Sequence, residues 1–181
     1  LDDEHRWNPG LYVSASHLEQ RLQLLRRNNC TVLPLGEAVD RLYRNDLPER
    51  AVALTFDDGY YDFMVRAWPL LQAYGYPATV YLTTSRVEHN LPNVGLFTSY
   101  ALWRAHDRVL DGDGIHGLTG RYSLATEEQR ATVVNIVRSG IPAGPGITKD
   151  GMVEAIVRRL GLDYDGLLRS RILTLMRPEE V

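Results

Sequence analysis

The feature of this sequence that most constrains its fold is one apolar run, residues 51–56, that ends directly before Asp57-Asp58-Gly59. Nearly every residue of the run is apolar, and Pro48 bounds it on the other side. A strand that is covered on both faces reads as a continuous apolar run, whereas a half-covered strand alternates apolar and polar residues. The run therefore predicts a buried central strand of a parallel sheet.

A second strand follows after one helix. Residues 65–74 place apolar side chains at helical spacing, Gly75 suits the left-handed position that ends a helix, and residues 78–83 form another apolar run. Strand, helix and strand within about thirty residues make a βαβ unit, whose crossover is right-handed in nearly all proteins. The predicted fold class is therefore α/β.

Weaker signals flank this unit. A capping box at Ser16 predicts a helix, residues 31–35 a short strand, and residues 37–43 a helix with Val39 and Leu42 facing inward. Further along, the pattern predicts helices from Thr98, Thr126 and Thr148, a helix break at 141–146 and a strand-like segment at 172–176. The second half of the chain is thus expected to be mostly helical.

Composition limits the classes of function. With 181 residues and a soft prior of about 150 residues per domain, we expect one domain. A net charge of −3 without a basic cluster argues against a nucleic-acid partner, because such binding neutralises phosphates with several Lys or Arg from one face. No run of about 18 apolar residues is present, so no membrane span is predicted. The single cysteine, Cys30, excludes an internal disulfide and leaves the compartment open.

Asp57 and Asp58 are the strongest candidates for chemistry. They follow the predicted strand at its carboxyl end, where parallel α/β folds and (β/α) barrels place their active sites. One carboxylate of such a pair can bind a hard cation while the other accepts a proton from metal-bound water. Gly59 would let the backbone turn so that both side chains face a pocket. The plainer interpretation is that Asp-Asp-Gly is turn chemistry alone.

The segment Thr55-Phe56-Asp57-Asp58-Gly59-Tyr60, with its continuation over residues 71–82, resembles the polysaccharide deacetylase family, also called the NodB-homology domain. The resemblance is strong over residues 50–84, weaker over 10–49 and poor over 85–172. It implies a distorted (β/α) barrel, with Asp57 as general base, Asp58 as metal ligand and zinc as the metal. We expect one domain over 1–181, with a barrel-like part at 10–84 and a mostly helical insertion at 85–172.

The sequence departs from the family pattern where further metal ligands are expected. The family's second motif supplies two histidines four residues apart, but the histidines here stand at positions 5, 17, 89, 106 and 116. We therefore expect this chain to be the N-terminal portion of the domain, with the remaining ligands beyond Val181. Such a chain would hold zinc poorly, be inactive alone, and pair with another copy or with the missing C-terminal part.

Other side chains near the predicted site have weaker assignments. His89 and Arg86 follow the second strand, so His89 could be a substitute metal ligand and Arg86 could meet a sugar, although both also suit a solvated loop. Tyr60 and Tyr61 could stack on a pyranose ring. Residues with more ordinary explanations, in the core or in loops, are Trp68, His106 and His116.

Two hypotheses of different class follow. The first is a metal-dependent hydrolase that removes acetyl groups from an N-acetylated or O-acetylated polysaccharide or glycoconjugate. The second is a non-catalytic fragment or pseudo-enzyme of the same fold that binds glycan or a partner. A phosphoaspartyl receiver is disfavoured because Lys149, the one lysine, stands in a loop, and a haloacid-dehalogenase phosphatase because position 59 is glycine.

Overall fold

The structure is a computed structural model that describes residues 4–140, 148–171 and 173–181. Its α-helices are α1 (Glu4–Trp7), α2 (Ala15–Arg27), α3 (Leu35–Tyr43), α4 (Trp68–Tyr74), α5 (Thr84–Glu88), α6 (Val94–Arg104), α7 (Glu127–Ser139), α8 (Lys149–Arg159) and α9 (Tyr164–Arg169). Its strands are β1 (Thr31–Val32), β2 (Ala51–Val52), β3 (Thr55–Phe56), β4 (Thr79–Val80), β5 (Val109–Asp111) and β6 (Arg121–Ser123). Two 3-10 turns, Pro9–Leu11 and Pro178–Glu180, and a π-helical turn, Phe63–Ala67, complete the elements.

The chain forms two compact units. The first, Gly10–Asn90 with Leu175–Val181, contains Asp57 and Asp58 and is called the acid-pair unit. The second, Leu1–Pro9 with Leu91–Thr174, is called the helical unit. Each unit has its own elements and its own cavities, so each is described by itself.

Two parallel strand pairs organise the acid-pair unit. Strand β1 pairs with β2, and β3 pairs with β4 so that Thr55 lies opposite Thr79 and Phe56 opposite Val80. Helix α4 lies between β3 and β4 in the chain, so the predicted strand-helix-strand unit with parallel strands is present. The fold is a mixture of helices and small sheets, as expected of an α/β domain of this kind.

The apolar run at residues 51–56 forms two short strands rather than one. Its first half pairs with β1, where Leu33 N–H donates to Val52 O at 2.9 Å, and its second half pairs with β4, where Tyr81 N–H donates to Phe56 O at 2.8 Å. Residues 51–54 are half-buried and Thr55 is exposed, so the prediction of a strand covered on both faces is wrong. The reason is that each half belongs to a sheet of two strands, which leaves little structure to cover it.

Helix α4 ends as the sequence predicts. Gly75 adopts φ +65°, a left-handed conformation that glycine reaches without a Cβ clash, and its N–H bonds to Gln72 O at 3.0 Å. Pro69 occupies the first turn, where a missing N–H is tolerated. The π-helical turn that runs directly into α4 had no signal in the sequence.

Two local predictions in the acid-pair unit are wrong. Helix α2 is capped by Ser14, whose hydroxyl accepts a hydrogen bond from His17 N–H at 3.2 Å, and does not begin with a box at Ser16. On α3, Val39 and Leu42 are 39% and 57% exposed instead of inward-facing. Helical spacing identifies side chains on one face, but whether another element covers that face depends on tertiary packing.

Helices α6, α7 and α8 enclose the core of the helical unit. Their capping residues Asn93, Thr126 and Thr148 each accept a backbone N–H, and Thr126 with Gln129 forms the predicted capping box. The fully buried members of the core include Phe97, Ala101, Leu102, Leu110, Leu124, Val133, Val137 and Ile156. The predicted helices from Thr126 and Thr148 are therefore confirmed.

The glycine-rich stretch before α7 contains a hairpin that the sequence did not reveal. Strands β5 and β6 pair antiparallel, and Gly120, at φ +72°, donates its N–H to Asp113 Oδ1 at 2.6 Å. Of the strand-like segment predicted at 172–176, Leu175 forms one antiparallel bridge with Tyr60. Residue 172 and the helix break predicted at 141–146 lie outside the described residues.

Within the described ranges, no helix combines the length and apolar character needed to cross a bilayer.

Candidate active site

The parallel pairing of β3 with β4 brings Asp58 close to Thr83. Both residues follow the carboxyl end of their strand, as the sequence predicts for Asp58. The Thr83 hydroxyl donates to Asp58 Oδ1 at 3.3 Å, and Thr83 N–H donates to Asp58 O at 3.3 Å. The half-buried residue Asp58 is thus held through both its carboxylate and its backbone carbonyl.

The backbone makes a sharp turn through Asp58 and Gly59. Asp58 has φ +67° and Gly59 has φ +77°, both in the left-handed region. Aspartate tolerates this region better than most residues that carry a Cβ, and glycine enters it freely. The turn separates the two acids: Asp57 is exposed, whereas Asp58 turns back toward Thr83.

Gly59 is buried and closely surrounded. Its carbonyl accepts the N–H of Met176 at 2.8 Å, next to the bridge between Tyr60 and Leu175. A Cβ added at Gly59 would lie 2.5 Å from Leu82 Cδ2 and 3.6 Å from Met176 Cε. A side chain at Gly59 would therefore have to displace the end of Leu82 and would strain the backbone.

Asp57 lines a cavity of about 380 Å³. The aromatic rings of Phe56 and Phe63 form part of its wall, with centroids 4.7 Å apart, and Tyr60 lies there too. Further lining residues are Leu11, Val13, Ala15, Leu18, Arg21, Asp62, Arg66 and Ala67. An exposed carboxylate beside such a cavity can reach a small ligand and exchange a proton with water.

The structure shows where the other candidate residues near the acid pair lie. Tyr60 lines the Asp57 cavity, and its stacking on a sugar ring stays a prediction. Trp68 is half-buried, outside the buried core where the sequence placed it, and it lines a second, more apolar cavity of about 400 Å³ with Met176 and Leu82. Tyr61 and Arg86 are half-buried near the turn and after β4, and neither lines the Asp57 cavity.

His89 is exposed at the end of α5. Its Nδ1 lies 2.8 Å from Ser85 O, and because a carbonyl oxygen only accepts, this contact places a proton on Nδ1. In the neutral ring Nε2 then carries the lone pair that a metal would need. His106 and His116 belong to the helical unit, where His106 Nδ1 contacts Trp103 O at 2.9 Å.

The described part of the chain brings no three His, Cys, Asp or Glu side chains close enough to hold a metal ion together. Asp57, Asp58 and His89 therefore do not form such a group by themselves. A catalytic zinc site takes three protein ligands, so the described residues do not fit a complete zinc site. Asp58 remains the predicted ligand.

Sequence reasoning missed three side chains near the acids. Thr83 could have been found, because it is the last residue of the predicted strand 78–83 and thus lies at the same strand edge as Asp58. Arg21 and Arg66 bring positive charge to the Asp57 cavity. No sequence pattern predicts that Arg21 and Arg66 lie near the acids, because Arg21 lies on the exposed face of α2 and Arg66 in the π-helical turn.

Comparison with known families identifies what these residues resemble. A model of the family described as polysaccharide deacetylase matches residues 44–140, which is more than half of the chain. The match includes Asp57, Asp58 and Thr83 and continues into α7 of the helical unit. The similarity to the family thus extends well beyond residue 84, into the region 85–172 where the sequence motifs showed only a poor resemblance.

Curated relatives agree with this match. A poly-beta-1,6-N-acetyl-D-glucosamine N-deacetylase of Escherichia coli is 36% identical over 80 residues, which is 43% of this chain and 12% of the relative. A protein of the same description from Staphylococcus aureus is 30% identical over 91 residues, which is 50% of this chain and 31% of the relative. The match therefore spans less than a third of either relative's length.

Proposed function

The chain belongs to the polysaccharide deacetylase family, and on that premise we propose that it contributes Asp57 and Asp58 to a metal-dependent deacetylase that acts on an N-acetylated polysaccharide. The supporting observation is that the two acids lie in different surroundings. Asp57 is exposed at a cavity, while the Asp58 carboxylate is held by Thr83 at the end of β4. A proton acceptor and an oriented ligand need these two different settings.

Asp57 is the general base in this proposal. Its carboxylate accepts a proton from a water molecule whose oxygen attacks the acetyl carbonyl carbon, and the carbon–nitrogen bond breaks as that proton passes on to the sugar nitrogen, which leaves as the amine. Acetate and a free amino sugar are the products. Arg21 and Arg66, at the same cavity, place positive charge near the negative charge that develops on the attacked group.

Asp58 is the metal ligand in this proposal. A hydrogen bond from a neighbouring hydroxyl orients a carboxylate and tunes its basicity, and Thr83 supplies that bond. A divalent metal, which the family resemblance implies to be zinc, would supply Lewis acidity toward the acetyl group. Since the described residues do not complete a zinc site, the proposed metal dependence rests on the position of Asp58 and on what the resemblance of its motif implies.

The substrate class follows from the relatives and from the cavity. Both relatives carry the name of an N-deacetylase of poly-beta-1,6-N-acetyl-D-glucosamine. The Asp57 cavity of about 380 Å³ combines aromatic rings at Phe56, Phe63 and Tyr60 with charged groups. Aromatic rings pack against the C–H face of a pyranose while charged groups bond its hydroxyl and amide groups. An N-acetylhexosamine polymer is therefore the proposed substrate. The proposed fold of the complete domain is the distorted (β/α) barrel that the family resemblance implies.

The test is acetate release by the full-length protein with zinc, measured together with metal content. We expect Asp57→Asn to abolish acetate release while metal stays bound, and Asp58→Ala to lose both. Asp40→Asn is the matched control, because it makes the same exchange on the exposed surface of α3, outside the lining of the Asp57 cavity. Asp57→Asn protein that still releases acetate would refute the assignment, and equal metal loss in both variants would refute the division of roles.

The non-catalytic alternative makes a different prediction. A glycan-binding pseudo-enzyme would bind the acetylated oligosaccharide with zinc present but release no acetate, with or without Asp57. That result for the wild-type protein would replace the deacetylase by a binding module.

A further inference from the structure

The helical unit contains a cleft of its own, of about 510 Å³, and all of the described residues that line it belong to this unit. Its walls are the end of α1 with the two residues that follow it, and the facing sides of α6 and α7. Residues that give it chemical character are Trp7, Ser99, Trp103, Glu127, Asn135 and Arg138. The acid pair and its cavity do not account for these side chains.

Two tryptophans line this cleft and are held by one buried tyrosine. Tyr100 is fully buried, and its ring centroid lies 5.8 Å from that of Trp7, edge to face, and 6.0 Å from that of Trp103, nearly parallel. Both indoles are half-buried and neither belongs to the core cluster of the unit. Packing on Tyr100 thus fixes two large apolar rings and leaves part of each open.

Polar groups surround the two indoles. The side chains of Ser99, Asn135 and Arg138 line the cleft and make no hydrogen bond or ion pair with another described residue. The Arg138 side chain lies against Gly95, where an added Cβ would be 3.1 Å from its Nε. Arg130, by contrast, is tied to the carbonyl of Leu124 at 2.7 Å.

We propose that this cleft binds a segment of neutral, N-acetylated glycan, with pyranose rings stacked on Trp7 and Trp103. Sugars present an apolar C–H face edged by hydroxyl groups, so rigid aromatic rings beside amide, hydroxyl and guanidinium groups match them better than they match an apolar ligand. The ordered hydrophobic platform and the polar rim are the two observations that carry this assignment.

Charge selects the acetylated form of the glycan. The cleft is lined by two arginines, Arg130 and Arg138, against one acid, Glu127. A deacetylated chain carries ammonium groups, which this excess of positive charge repels, whereas an acetylated chain is neutral. This step rests on the proposed function: a deacetylase with such a cleft would hold its polymer substrate at a second point and release the product.

The test uses the full-length protein with Asp57→Asn, so that bound glycan is not consumed. The probe is a short beta-1,6-linked N-acetylglucosamine oligosaccharide, and its fully deacetylated counterpart is the comparison. The three tryptophans of this chain each give an indole N–H signal by NMR, and Trp→Phe variants identify the signals of Trp7 and Trp103. We expect the Trp7 and Trp103 signals to move on addition of the acetylated probe, and to move far less with the deacetylated one.

Calorimetry on two independent variants keeps the proposal open to refutation. Trp103→Ala should weaken binding of the acetylated probe about tenfold or more, and Asn135→Ala about threefold. Thr132→Ala is the matched control, three residues before Asn135 on α7 and outside the cleft lining. Circular dichroism of each variant separates lost binding from lost folding.

Each result decides between the two claims. Indole signals of Trp7 and Trp103 that stay fixed, or equal binding of both probes, would overturn the glycan cleft and leave the deacetylase untouched. Wild-type protein that releases no acetate, yet binds the acetylated probe through Trp103, would overturn the deacetylase and keep the cleft.

Discussion

The hydroxyl of Thr83 donates a hydrogen bond to Oδ1 of Asp58 over 3.3 Å, so the ends of two parallel strands are joined through a carboxylate. Thr83 stands where β4 has just ended, and Asp58 where β3 has just ended. Strand pairing therefore determines the orientation of the predicted metal ligand. Changes at Thr83 should alter that ligand without touching it directly.

Replacing Thr83 by valine should lower metal affinity about tenfold, because the change removes the hydroxyl donor and keeps the branched shape. Thr83→Ser retains the hydroxyl and is the matched control. Zinc affinity by competition with a chelator, in the full-length protein, is the measurement. Equal affinity in both variants would show that the hydrogen bond does not orient Asp58.

Replacing Gly59 by alanine should lower the free energy of unfolding by about 2–4 kcal/mol, since backbone strain at positive φ adds to displacement of Leu82. Gly75→Ala, in the same unit, is the control. It has φ +65° with nothing within 4 Å of an added Cβ, so strain alone should cost about 1 kcal/mol. Urea unfolding of both variants measures the difference, and similar losses would contradict the close packing at Gly59.

Removing the cap of α7 should destabilise the helical unit. Thr126→Ala deletes the hydroxyl that accepts Gln129 N–H at 3.3 Å, at a cost of about 1 kcal/mol. Thr132→Ala removes a hydroxyl from the exposed middle of the same helix and should change stability by less than about 0.5 kcal/mol. Thermal unfolding compares them, and an equal shift would exclude a specific capping effect.

Alkaline pH should destabilise the helical unit through Tyr164. Burial, followed by the negative charges of Glu154, Asp150 and Asp165, raises the pKa of the Tyr164 phenol above its usual value of 10.0. Both folded and unfolded forms are neutral below that value, so stability there does not depend on this group. Above it the unfolded tyrosine ionises first, and the free energy of unfolding falls as pH rises.

Tyr164→Phe isolates this contribution. The variant keeps the ring contact with Phe97, whose centroid lies 5.9 Å away, but has no ionisable hydroxyl. Its unfolding free energy should fall less steeply above about pH 10 than that of the wild-type protein. Parallel curves for the two proteins would contradict the assigned pKa direction.

The sequence alone predicted the part of the site that depends on local pattern. Two apolar runs and a glycine-ended helix predicted β3, α4 and β4, and with them the position of Asp58 at a strand end. The residues that complete the surroundings come from distant segments. Arg21 lies on α2, and its approach to Asp57 depends on tertiary packing that no local pattern encodes.

Errors in the sequence prediction share one physical cause. Val39 and Leu42 lie on one face of α3 as predicted, and residues 51–56 are as apolar as a buried strand. Both predictions assumed that apolar residues would be covered, yet α3 remains open and the run divides between two partners. Periodicity reports which residues share a surface, and coverage is a property of the assembled fold.

The left-handed conformation of Asp58 means that backbone geometry and chemistry select for the same amino acid at this position. Asparagine would accept φ +67° nearly as well as aspartate but would lose the charge that a cation requires. Glutamate would keep the charge but tolerate the turn poorly. Related chains that need only the left-handed turn at position 58 should therefore accept asparagine there. Chains that must also bind a cation should keep aspartate, because no other residue combines the turn with the charge.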